Sequence, residues 1–182
     1  MRKIILTFLT ATCFAAPAYS QDKVKRVVED IPATTTHNLY RVSADRTPSG
    51  FDVPRFVSLK YSKVNGRTGP SRDHPIAWQY QRRGLPLMIV AETEMWRKVR
   101  DISGDEAWVR KPALSGTRTA IAMQIISIRS RPNGKSREIA RTDPKALLNL
   151  KQCRNGWCEV KSESSGLKGW ARQDMLWGAK RP

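Results

Sequence analysis

From residue 54 onward, apolar and polar positions alternate in short runs broken by turn formers. Arg55-Phe56-Val57-Ser58-Leu59-Lys60 has the period of two that puts successive side chains on opposite faces of a strand. Leu85–Glu92 and Met95–Asp101 read as further strands, the second placing Trp96 and Arg97 on opposite faces. Asn65–Ser71 and Ser103-Gly104-Asp105 are turn clusters. Ala107-Trp108-Val109-Arg110 is another strand, and Pro112–Gly116 closes the unit with room for a single helical turn. The order then recurs. Ile121–Arg131 carries a strand, Pro132–Lys135 a turn, Leu147–Lys151 a strand, Cys153–Val160 a hairpin and Gly169–Arg172 the last strand.

The recurrence is a true repeat. Arg67-Thr68-Gly69-Pro70 aligns with Arg129-Ser130-Arg131-Pro132 at an offset of 62. Trp108-Val109-Arg110 aligns with Trp170-Ala171-Arg172, and Leu114-Ser115-Gly116 with Leu176-Trp177-Gly178, at the same offset. Trp96-x-x-Val99 matches Trp157-x-x-Val160 at 61. A fixed period with one small indel means two copies of one supersecondary unit. Short strands with regular turns make that unit an all-β barrel or sandwich. Each copy is near the lower size limit for one core, so two in tandem support each other.

Residues 21–54 lack this pattern. Asp22–Arg26, Thr34-Thr35-Thr36 and Pro48-Ser49-Gly50 suggest a mostly irregular leader, with helical spacing only at Val24, Val27, Val28 and Ile31. Before it, Arg2 and Lys3 precede the apolar stretch Ile4–Ala16, and Ala18-Tyr19-Ser20 is a small-x-small site. That is the pattern of a cleaved signal peptide, too short to span a bilayer. The sequence thus divides into a signal peptide at 1–20, a leader at 21–54, and domains at 55–118 and 119–182. A periplasmic or secreted protein starting near Gln21 is expected.

Charge and cysteine content follow from this processing. The chain has 33 Lys and Arg against 16 Asp and Glu. Two of the basic residues fall in the first 20 positions, so the mature excess is 31 − 16 = +15. Such a charge favours anionic partners, and export disfavours nucleic acid among them. Cys153 and Cys158 remain in an oxidising context. Asn155-Gly156 forms a two-residue hairpin turn, which sets the two cysteines opposite each other about 4.5 Å apart, within disulfide range.

Pro54–Lys60, Val64–Pro70, Leu85-Pro86-Leu87, Trp96, Asp101 and Ala107-Trp108-Val109 together resemble the bacterial SH3-like domain. The exported variety common in alphaproteobacteria is the nearest pattern. The second unit matches at its Arg-x-x-Pro turn, its Asn-Gly-Trp-Cys hairpin and its Gly-Trp strand. Gly66 and Ala107 depart from the pattern, which has an apolar residue and a glycine there. The resemblance implies two tandem, partly open SH3-like barrels and a binding role at the bacterial envelope. Some relatives attach wall hydrolases to peptidoglycan.

The chemistry of individual residues points the same way. Trp78 sits in Ile76–Arg83, an aromatic and basic mixture suited to a sugar ring or an extended peptide. Tyr61, Trp78 and Tyr80, with Arg67 and Arg72, are the candidate ligand platform, the alternative being that Trp78 covers the barrel end. Trp96, Trp108, Trp157 and Trp170 are expected in the core. His37 and His74 have no metal-ligand spacing, and Asp101, Asp105 and Glu106 read as turn and ion-pair residues. No nucleophile, base and orienter stand together, so a non-catalytic module without metal or cofactor is expected. Its expected partner is peptidoglycan or an envelope protein or peptide, with anionic polymers or lipid headgroups as further candidates.

Overall fold

The structure is a computed structural model and describes residues 41–180 and 182. The expected signal peptide and the helical spacing at Val24–Ile31 lie outside the described residues. The described residues belong to one compact unit. It is all-β, built from two open antiparallel sheets of seven strands each.

The first sheet comprises β1 (Arg55–Leu59), β2 (Val64–Arg67), β3 (Ile76–Tyr80), β4 (Pro86–Glu92), β5 (Trp96–Arg100), β6 (Glu106–Arg110) and β7 (Leu114–Ser115). The second comprises β8 (Thr119–Ala122), β9 (Ile126–Arg129), β10 (Glu138–Thr142), β11 (Leu147–Arg154), β12 (Trp157–Ser162), β13 (Lys168–Arg172) and β14 (Leu176–Trp177). The strand orders, β3-β2-β6-β5-β4-β1-β7 and β10-β9-β13-β12-β11-β8-β14, are the same order seven strands apart. The repeat in sequence is therefore a repeat in topology. A short 3-10 turn, Lys111–Ala113 or Gln173–Met175, leads into the last strand of each copy.

Alternation sorts the side chains. In β6, Ala107 and Val109 are buried while Glu106, Trp108 and Arg110 are half-buried on the other face. The first core gathers Leu59, Val64, Tyr80, Leu87, Ile89, Val99 and Val109; the second gathers Ile126, Ile128, Leu148, Cys158 and Val160 among others. Of the repeat-related tryptophans only Trp96 is buried. Trp108, Trp157 and Trp170 are half-buried, because odd and even positions of a strand face opposite ways and the small residues beside them took the inward side. Trp170 instead lies under the Arg154 guanidinium, 4.8 Å from its ring.

Three expectations about boundaries change. Asn65-Gly66-Arg67, expected as the start of a turn cluster, belongs to strand β2 and pairs with β3, so the turn begins only after Arg67. Ile121–Arg131 is two strands, β8 and β9, separated by the exposed Met123-Gln124-Ile125. The leader is not irregular to its end. Val42 and Val53 form a β-bridge, and Val53 is 2% exposed within the first core. Residues 41–54 thus cap the first barrel, an arrangement that two valines eleven residues apart could not announce through periodicity.

The two copies share a junction. Phe56 of β1 meets the Trp177 ring of β14 edge-on at 5.2 Å. Thr119 Oγ1 donates to the Gly84 carbonyl at 2.6 Å, and Arg82 donates to the Lys145 carbonyl at 2.9 Å. These contacts also explain why Trp177 has no tryptophan counterpart in the first copy: its work is between copies.

Candidate functional site: an aromatic and cationic groove at the junction of the copies

The expected platform around Trp78 does not assemble as one exposed surface. Tyr61 is exposed in the β1–β2 turn, with Lys60 Nζ 5.7 Å from its ring. Arg67 is the last residue of β2 and Arg72 lies in the turn beyond it, at the opposite end of a strand four residues or roughly 13 Å long. Arg72 is exposed. Arg67 donates from Nη1 to the His74 carbonyl at 2.6 Å, as Arg129 does to the Ser136 carbonyl at 2.6 Å in the second copy. That repetition makes Arg67 a clasp of the β2–β3 turn. Tyr80 is buried at 6% exposure, so it corrects the expectation of an exposed ring; burial pushes its hydroxyl up to about 12. Trp78 is half-buried and edge-on to Tyr80 at 6.1 Å, directly opposite Gly66. A Cβ on Gly66 would stand 2.8 Å from the Ala107 Cβ and 3.4 Å from the indole nitrogen. Trp78 therefore fills the space that Gly66 leaves at the barrel end.

A different set of residues converges where residues 49–56, the β4–β5 hairpin and the β6–β7 connection meet. A cavity of about 350 Å³ is walled by Phe51, Phe56 and Leu114, with Arg55, Arg97 and Lys111 also lining it. A second cavity of about 410 Å³ shares Phe51, Arg55 and Phe56 with it and adds Arg41, Arg118 and Lys180. The two form one groove, since they share walls. Asp52 is the acidic side chain that lines it, and Asp52 Oδ1 already accepts the Ala44 amide at 3.0 Å.

The floor of this groove is an ion cluster. Glu92 and Arg97 are register partners across the β4–β5 hairpin. Arg97 Nε lies 3.1 Å and Arg55 Nη2 lies 2.6 Å from Glu92 Oε2. The Glu92 and Arg97 side chains are 2% and 3% exposed. Ser49 donates its amide and hydroxyl to the other carboxylate oxygen. Burial would raise the Glu92 pKa, but the Ser49 and Arg55 bonds outweigh it and hold the carboxyl below its ordinary value. Burial lowers the Arg97 pKa, with Glu92 opposing that and Arg55 adding to it. Both guanidiniums line the cavity and Glu92 does not.

No local pattern marks this site, because Arg97 stands at what reads as an outward position of an alternating strand. The readable signal was the repeat itself: Glu92 and Arg97 stand 61 residues before Cys153 and Cys158. The cysteine pair does form the expected bridge, with Cα atoms 4.0 Å apart across β11 and β12. The Asn155-Gly156 turn has φ of +50° and +75°, the left-handed pair that a two-residue hairpin demands. Asp101 caps its own turn through the Ser103 and Asp105 amides, and Glu106 pairs with Lys98 and Arg100. Among the described residues, no three His, Cys, Asp or Glu side chains are grouped to hold a metal ion.

With seven strands in each of two like sheets, the chain is an SH3-like tandem. It belongs to the bacterial SH3 domain family, whose pattern matches residues 60–116 and 123–178. No curated protein matches the chain. Two solved structures from Trichomonas vaginalis, NlpC1 and NlpC2, are similar over 68% of this chain at 14% and 16% identity. Their TM-scores are 0.31 and 0.32, and the chain spans 45% and 48% of their lengths.

Proposed function

We propose that this chain is an exported, non-catalytic binding module of the bacterial cell envelope that recognises peptidoglycan, in the periplasm or outside the cell. The groove at the junction carries this reading. It offers two phenylalanine rings and a cation excess that spans both copies. Such a surface suits a ligand that is apolar in part and anionic in part, as the peptide portions of the wall are. Two fused copies present one longer surface to such a ligand, which supports binding. An envelope protein presenting an acidic peptide would meet the same groove chemistry and stands as the second reading.

Pull-down with purified sacculi tests the proposal. The protein should sediment with sacculi, and Phe51→Ala with Lys111→Ala should weaken that retention. No retention of the unaltered protein at moderate salt would remove the peptidoglycan reading. Retention lost only at high salt and matched by anionic lipid vesicles would assign the basic surface to lipid headgroups instead.

A further inference from the structure

We infer that the Arg55–Glu92–Arg97 cluster is a carboxylate seat, and that the groove takes a peptide whose free C-terminal carboxylate sits beside an apolar side chain. The inference rests on the proposed reading only in using the same groove.

Two guanidiniums face one carboxylate, leaving one positive charge in excess, with the Arg97 side chain 3% exposed and the Arg55 side chain 20% exposed. A buried charge without full pairing is costly, and a second anion would relieve it. The hydrogen bonds show where that anion fits. Arg97 Nη1 donates to the Thr93 and Trp96 carbonyls, and Nε faces Glu92. Among the described residues, Arg97 Nη2 makes no hydrogen bond, and Arg97 lines the cavity. Guanidinium nitrogens held in a fixed plane are suited to a carboxylate, and Arg97 is fixed by three partners already.

The walls choose what accompanies the carboxylate. Phe51, Phe56, Leu114 and Ile89 border the same cavity, so the group next to the anion is apolar. Lys111 is exposed on the rim and adds attraction during approach.

The test is a titration of the full chain with N-acetyl-Ala-Ala-Leu as the free acid and as the C-terminal amide. Binding is read by calorimetry and by the NMR signal of the Arg97 side-chain Nε–H. The free acid should bind and move that signal; the amide should bind about tenfold more weakly or not at all. Phe51→Ala changes a residue that is 63% exposed, so folding is preserved, and it should weaken the acid about tenfold. Arg97→Lys should abolish the preference for acid over amide if it folds. Equal binding of acid and amide, or no binding of either, overturns the inference. Sacculus retention is measured separately, so wall binding without tripeptide binding would sink the seat and leave the envelope reading standing.

Discussion

Glu92 and Arg97 in the first copy occupy the same hairpin slot as Cys153 and Cys158 in the second, each 61 residues earlier. Both pairs are register partners across equivalent strands. One slot is closed by a covalent bond inside a core that includes the fully buried Cys158. The other is closed by an ion pair that needs Ser49 and Arg55 from outside the hairpin to complete it. A disulfide at this slot staples two strands and offers a ligand nothing. An ion pair keeps a charged, directional group at the edge of a cavity. On the proposed reading, the same fold position serves stability in one copy and recognition in the other.

A second exchange follows the same logic. Gly66 faces Trp78 in the first copy, whereas Ile128 faces Ala140 in the second. The large side chain has moved across the strand pair. The neighbouring strand compensates: Ala107 stands beside Gly66, and Gly169 beside Ile128. A Cβ on Gly169 would stand 2.5 Å from Ile128 Cγ2 and 2.9 Å from the Arg129 carbonyl oxygen. The two family departures, Gly66 and Ala107, are thus one volume-conserving swap anchored by Trp78.

Removing the carboxylate at the first slot should have the largest effect. Glu92→Gln leaves two guanidiniums facing each other and should cost about 3–5 kcal/mol in denaturant unfolding. The pH dependence has a definite sign. Glu92 has a lowered folded pKa, so its contribution is present above the ordinary carboxylate value of 4.5 and is lost as pH falls through the folded value. The acid limb of the stability profile should flatten in Glu92→Gln. An unchanged acid limb would remove Glu92 from the account.

Next in size is the volume exchange. Gly66→Ile alone should cost about 3 kcal/mol by overpacking against Ala107. Adding Ala107→Gly and Trp78→Ala builds the arrangement of the second copy and should recover most of that loss. If the triple variant were less stable than the single one, the copies would not be exchanging volume at this site. Reducing Cys153–Cys158 should cost about 2 kcal/mol for so short a loop. Mass spectrometry after thiol labelling under denaturing conditions, with and without reductant, checks the bridge. Arg67→Ala and Arg129→Ala each remove one turn bond and should cost about 1 kcal/mol apiece, by similar amounts in the two copies.

Alternation, turn clusters and the 62-residue offset made the strands β1, β4, β5, β6, β12 and β13 readable before any coordinates, together with the disulfide. Strands β3 and β10 were not readable, because as sheet edges they bury little and their patterns hardly alternate. The site was the least legible part. Its members come from the leader, β1, the β4–β5 hairpin and the β6–β7 connection, so no local window contains it. Arg97 looked solvated because charged residues are mostly exposed, and only its pairing with Glu92 and Arg55 allows it inside. Trp78 drew attention as an isolated aromatic, while the glycine that explains it lies twelve residues away on another strand.

Transplanting the second copy's staple into the first tests the central comparison most directly. In Glu92→Cys with Arg97→Cys, oxidised, the same register pair would carry a disulfide in both copies. The prediction is a folded protein with both bridges formed and at least about tenfold weaker binding of the free-acid tripeptide. A folded, doubly bridged variant that binds the tripeptide as tightly as the unaltered chain would contradict the assignment of this slot to recognition.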